Sequence, residues 1–147
     1  LGPPPEIILE DLMEKSFQSL REAQPLFKKT GATHGAALAD FETGKLLEVA
    51  EDVGRHNAVD KVLGARLWAG DYPVQKPCVL LVSGRVSFEI IQKAALGAVP
   101  AVVGIGAPTT LAVDAARKSG LTLVGMVREG TANRYAGSID LTGSASL

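Results

Sequence analysis

Residues 51–61 read EDVGRHNAVDK and set Glu51, Asp52, Arg55, His56, Asp60 and Lys61 between two apolar segments, KLLEVA and VLGARLWAG. Such a stretch can hold an anion. Arg55 offers a two-pronged donor for phosphate or carboxylate. His56 can donate or accept a hydrogen bond, and a helix starting there adds free backbone N–H groups. Three other short stretches repeat the theme: SGRVS with Ser83, Gly84, Arg85 and Ser87, GAPTT with Gly106, Pro108, Thr109 and Thr110, and REGT with Arg128, Glu129, Gly130 and Thr131. Three of the chain's seven arginines fall in these polar stretches. Each piece also has a plainer account. Ser87 and Thr109 suit helix N-caps and Pro108 a helix start, while Gly84 and Gly106 suit tight turns. His56 suits a surface residue, and His34 a strand histidine satisfied by backbone. The charges of 51–61 suit a solvated ion-pair cluster of little weight. Cys78, inside an apolar run, suits a small hydrophobe. The functional account gains from recurrence, because the polar stretches follow one apolar strand after another.

The elements that must position them follow from periodicity. LGPPP is a stiff, extended lead-in. Over 6–23, Leu9, Met13, Phe17 and Leu20 at spacings of four and three predict an amphipathic helix. THGAALAD and LLEVAED predict two strands joined by a tight turn containing Gly44. From about Asn57 to Trp68, Val59, Val62, Leu63 and Leu67 form a helical stripe. PCVLLVSG predicts a strand buried on both faces. VSFEIIQKAALGA predicts a helix with Phe88, Ile91 and Ala95 on one side. VPAVVGIG then predicts a strand, TTLAVDAARKSG a helix ending at Gly120, LTLVGMV a strand, and GSASL a loose polar tail. The division is residues 1–30 as lead-in and helix, 31–137 as an α/β cofactor-binding core, and 138–147 as tail. The fold class is α/β: a three-layer α/β/α sandwich with a mixed, mainly parallel sheet. In such sheets ligands bind beyond the carboxyl ends of the strands, which is where the four polar stretches fall.

Composition narrows the function. The 147 residues suit one domain. With 46% apolar and 21% charged residues, the class is ordinary globular. A net charge of −1 gives no general field for nucleic acid or an anionic membrane, so neither is an expected partner and any anion site is local. Apolar runs are too short to span a bilayer. A single cysteine excludes an internal disulfide and fits a reducing cytoplasm. Phosphate-loop and dinucleotide fingerprints are absent, and G-x-G in VGIGAP is weak. Cys78 and two histidines do not make a zinc set, the zinc deaminase pattern is missing, and no structural metal is expected.

Resemblance goes further. EDVGRHNAVDK resembles the signature of the formate dehydrogenase accessory sulfurtransferase family, FdhD. TGATHGAAL resembles that family's T-G-G-x-H-A-A stretch, with Ala32 and Gly35 as departures. SGRVSFEIIQK resembles its S-G-R-x-S-x-E segment, GAPTTLA its S-A-P-T-x-L-A, and GLTLVGMVREG its G-x-T-L-x-G-x-x-R. The resemblance implies a cytidine deaminase-like fold. It also implies a sulfur carrier that takes a persulfide from a cysteine desulfurase and sulfurates the molybdenum bis-pterin guanine dinucleotide cofactor for formate dehydrogenase, with GDP as a partial mimic, in a homodimer. Carried onto this sequence, its nucleotide-contacting segment is Met126, Val127, Arg128, Glu129, Gly130 and Thr131. With the loop residues above, the expected cofactor-binding set adds Arg55, His56, Asn57, Gly84, Arg85, Ser87, Thr109 and Thr110. Asp52 and Asp60 are expected to brace that set.

The family transfers sulfur through a C-x-x-C loop, and this sequence has no such pair. A thiolate is needed to accept sulfur. The expectation is either one domain of a longer protein or a shortened homologue that binds cofactor without carrying sulfur; in either case the chain is not a sulfurtransferase by itself. Two other classes stay open: a nucleotide-processing domain on a deaminase-like scaffold, which metal or turnover would reveal, and a docking module for the desulfurase or dehydrogenase, which would lack nucleotide affinity.

Overall fold

The computed structural model describes residues 6–8, 11–22, 33–40, 43–70, 78–128 and 130–139. In chain order these form β1 (Glu6–Ile8), α1 (Asp11–Glu22), β2 (His34–Asp40), β3 (Leu46–Asp52), α2 (Arg55–Trp68), β4 (Cys78–Val82), α3 (Phe88–Leu96), β5 (Ala101–Gly104), α4 (Thr110–Ser119), β6 (Thr122–Gly125) and β7 (Thr131–Ala136). They build one sheet in the order β1-β7-β6-β5-β4-β2-β3. The β4–β5 and β5–β6 pairings are parallel and the other four antiparallel. In direction, β1, β3, β4, β5 and β6 run one way, and β2 and β7 the other. The sheet is therefore mixed, and its parallel character belongs to strand direction and to the centre.

Alternation along the strands makes two apolar layers. Leu38, Leu80, Val102 and Leu123 face Val59, Val62, Ile90, Ile91, Ala112 and Ala116 of the three helices α2, α3 and α4. Ala37, Leu81, Val103 and Val124 face Phe17 and Leu20 of α1. The chain is thus a three-layer sandwich. β4 is buried at every position, as its unbroken CVLLV run requires. Cys78 packs in the first layer at the amino end of β4, where its register partner is Asp40.

Several expectations change. Residues 6–8 are strand, not the start of a helix: Ile7 pairs with Ala132 and Ile8 with Thr131, and β-branched residues accept this readily. Phe17 and Leu20 are buried in α1 as the helical spacing predicts; the side chains of Leu9 and Met13, with LGPPP and GSASL, lie outside the described residues. β7 was not foreseen, because TANRYA buries only Ala132 and Ala136. Its first residue, Thr131, is strand rather than loop. The buried face of α3 is Ile90, Ile91 and Ala94, with Ala95 exposed. In α2, Leu67 points to solvent beyond the stripe of Val59, Val62 and Leu63. Ile139, in the 138–147 segment, is tied to the core: its N–H donates to Thr122 Oγ1 at 3.1 Å and its side chain packs on the second layer.

Candidate cofactor-binding site

The carboxyl ends of β3, β4, β5 and β6 lie at one edge of the sheet, as do the amino ends of β2 and β7. The loops there are tied backbone to backbone. Gly106 N–H donates to Gly84 O (3.2 Å), Met126 N–H to Gly106 O (3.1 Å) and Thr109 N–H to Val86 O (2.9 Å). Small residues make this approach possible. A Cβ on Gly106 would sit 3.1 Å from Arg85 N, and one on Gly125 would sit 2.9 Å from Pro108 Cδ and 3.0 Å from Gly106 O. Met126 follows with φ of 55°, a left-handed conformation costly for a side chain with Cβ. Such strain concentrates at functional sites.

The junction between β3 and α2 explains most of the charge in EDVGRHNAVDK. Asp52 holds the turn: its Oδ1 accepts from Gly54 N–H at 2.9 Å and its Oδ2 lies 2.8 Å from Lys61 Nζ. Lys61 foremost, then Gly54 N–H, lower its pKa to about 2. Lys61 also donates to Glu51 O. Asp60 reaches across to Lys93 of α3 at 2.7 Å. Asp52 therefore braces the turn before α2, and Asp60 ties α2 to α3.

Braced this way, the start of α2 opens a cleft of about 330 Å³ lined by His34, Val53, Gly54, Arg55, His56 and Asn57. α2 has Gly54 at its N-cap and no capping side chain, so no cap side chain accepts from its first N–H groups. Arg55 Nε is buried without a hydrogen-bond partner. A buried orphan donor is costly, and an anionic ligand oxygen would satisfy it. Opposite stands Gly84. A Cβ there would lie 3.0 Å from His34 Nδ1 and 4.0 Å from Arg55 Cδ, so glycine keeps the wall open. His56 Nε2 lies 2.8 Å from Ser87 Oγ and 3.8 Å from Glu89 Oε2.

Of the expected set, the structure brings Arg55, His56 and Asn57 into one cleft, with Gly84 and Ser87 against it. Arg85 and Arg128 are exposed along the same edge but outside the cleft lining. Arg128 N–H donates to Thr131 O at 2.8 Å, closing the turn that holds Gly130 at φ 73°. Thr109 caps α4, accepting from Ala112 N–H at 3.1 Å, which is its plainer role. Thr110 opens α4 on the exposed side, Val127 packs on the second layer, and Glu129 lies outside the described residues. Among the described residues, no three His, Cys, Asp or Glu side chains are grouped to hold a metal. His34, read from sequence only as a strand histidine, also lines this cleft. As the first residue of β2, which runs against β4, it reaches this edge from its amino end; the TGATHGAAL resemblance was the available signal. Ser83 pins it there, since Gly35 N–H donates to Ser83 Oγ at 2.8 Å and Ser83 N–H to Gly35 O at 3.0 Å.

Comparison with known proteins bears on the family and the fold. A sulfur carrier protein FdhD from Streptomyces avermitilis is 48% identical over 134 residues, 91% of this chain and 47% of its own length. One from Corynebacterium efficiens is 49% identical over 139 residues, 95% of this chain and 48% of its own. The chain thus spans about half the length of the curated relatives it matches. A crystal structure described as a formate dehydrogenase accessory protein from Desulfotalea psychrophila superposes with a TM-score of 0.78 at 29% identity, covering 93% of this chain and 58% of that one. NE0047 with 8-azaguanine superposes at 0.60 with 11% identity, covering 82% and 79%, a likeness of fold alone. Residues 6–141 match the FdhD/NarQ family, and to that family this chain belongs.

Proposed function

We propose that this chain is the cofactor-holding part of a sulfur carrier for formate dehydrogenase maturation, binding the molybdenum bis-pterin guanine dinucleotide cofactor while it is sulfurated. The observation that carries the proposal is the cleft at the start of α2, where Arg55 keeps a buried, unpartnered Nε beside an open glycine wall. Its donors suit a pyrophosphate. Arg55 would take a phosphate oxygen, with the uncapped N–H groups of α2 behind it. Arg85 and Arg128, exposed at the rim, would draw the anion in and screen its charge. The segment from Met126 to Thr131 would contact the nucleotide from the same edge of the sheet. When bound, the cofactor supplies the molybdenum centre that accepts sulfur. In this proposal a cysteine desulfurase is the sulfur source, formate dehydrogenase receives the product, and a second copy of the chain is the assembly partner.

Cys78 is buried in β4, at the end of the strand away from the cleft. The sulfur-bearing thiol is then supplied by another segment or another protein, and this chain contributes binding. Thermal shift tests the binding: GDP is expected to raise the melting temperature more than ATP does. Arg55→Ala and Arg128→Ala are expected to shrink the shift, Arg55→Ala the more strongly. GDP affinity unchanged in Arg55→Ala would overturn the assigned cleft. Stoichiometric thiocyanate released by cyanide from the sulfur-loaded chain would overturn the division of labour.

A further inference from the structure

Ser87 stands at the N-cap of α3, where a serine ordinarily accepts a hydrogen bond from a backbone N–H in the first turn. It makes no such bond. Thr109, at the equivalent place before α4, does. The two loops run side by side, bridged in parallel at Val86 and Pro108, so the difference is not one of loop type. Ser87 has turned its hydroxyl to His56 Nε2 instead, at 2.8 Å.

The second neighbour of that nitrogen is Glu89 Oε2, at 3.8 Å. Glu89 is held below the usual carboxylate range by its own backbone N–H first, and then by the Ser87 hydroxyl, His56 and Arg55. It is ionised at neutral pH and can only accept. The Ser87 proton therefore goes to Glu89, leaving a hydroxyl lone pair toward His56. A neutral imidazole facing a lone pair and a carboxylate at Nε2 carries its hydrogen there and keeps its free lone pair on Nδ1.

We propose that Ser87 and Glu89 are positioning residues that lock His56 in its Nε2–H form, so that Nδ1 offers the cleft a hydrogen-bond acceptor for a ring N–H. In the ligand assignment this rests on the cofactor reading and deepens it. Guanine and pterin rings present an amide N–H beside an exocyclic amine. Adenine presents a bare acceptor at the corresponding ring position, so a fixed acceptor on the protein favours the first two and repels the third. Selection by an unpaired polar group is a strong form of discrimination.

Proton–nitrogen NMR correlations of the histidine side chains, on the isotopically labelled 147-residue chain, read the tautomer directly. In its neutral form, His56 is expected to show a protonated Nε2 and a bare Nδ1. Ser87→Ala should relax it to a mixture, Ser87→Thr should restore the lock, and Glu89→Gln should weaken it. Ser87 makes no cap bond, so its alanine variant keeps α3 intact, which the melting curve checks. An Nδ1–H form in the parent, or an unchanged pattern in Ser87→Ala, overturns the lock. Added GDP should move the Nδ1 resonance, and Ser87→Ala should bind GDP about fivefold more weakly, the worth of one hydrogen bond. GDP that binds without moving Nδ1 overturns the acceptor role. GDP that does not bind overturns the cofactor reading and the acceptor role with it, while the ligand-free spectra still decide the lock.

Discussion

Arg55 and Asp52 sit three positions apart and do opposite jobs. Asp52 is fully engaged by Lys61 and Gly54, whereas Arg55 keeps a buried donor open. Arg55→Lys retains charge but removes the planar fork. GDP affinity is expected to fall about tenfold or more, given ~1.5–3 kcal/mol for hydrogen bonds to charged groups, and calorimetric titration would show it. Asp52 has a folded pKa depressed from 3.8 to about 2. A depressed carboxylate stabilises the fold above its unfolded pKa and loses that contribution as pH falls through the folded one. Asp52→Asn is therefore expected to lower the melting temperature at neutral pH. The gap to the parent should close between about pH 4 and pH 2, and melts across that range would show it. Arg55 and His56 were legible in sequence because their neighbours were polar and their segment ended a strand. His34 was not. Its role depends on β2 running against β4, and strand direction is a property of the sheet rather than of the seven residues around it.

At the scale of elements, the helix–strand alternation from β4 to β6 was legible because each strand is a short apolar run and each helix follows a small polar residue. β1 and β7 were not. They stabilise each other through edge pairing, and neither carries enough apolar alternation to announce itself. Capping separates the two similar loops. Thr109→Ala is expected to cost about 1 kcal/mol of unfolding free energy. Ser87→Ala should cost much less, because its oxygen caps nothing. Urea unfolding of both variants checks the contrast, and an equal cost would mean that Ser87 caps α3 after all. The glycines of the rim belong to this scale too. A methyl at Gly125 would meet Pro108 Cδ and the Gly106 carbonyl, and backbone yields little. Gly125→Ala is expected to destabilise by about 1–3 kcal/mol, and to loosen the β6–β7 connection.

Across the whole molecule, the apolar layers are unequal. Three helices cover one face of the sheet, and α1 is the described cover of the other. Leu80, fully buried in β4 on the three-helix side, is expected to cost ~2–5 kcal/mol when cut to alanine. A single cooperative transition should remain, read by circular dichroism and fluorescence together. Three-layer architecture was legible from element order, since a sheet with apolar residues on both sides must be covered on both. Mixed strand direction at the flanks was legible only for the β2–β3 hairpin. The loops at the ligand edge are laced by peptide groups, Gly84 to Gly106 and Gly106 to Met126. Those two bonds use backbone atoms alone. The frame can therefore stay fixed while residues projecting from it are exchanged, so new ligand preferences can evolve one position at a time without the scaffold being rebuilt.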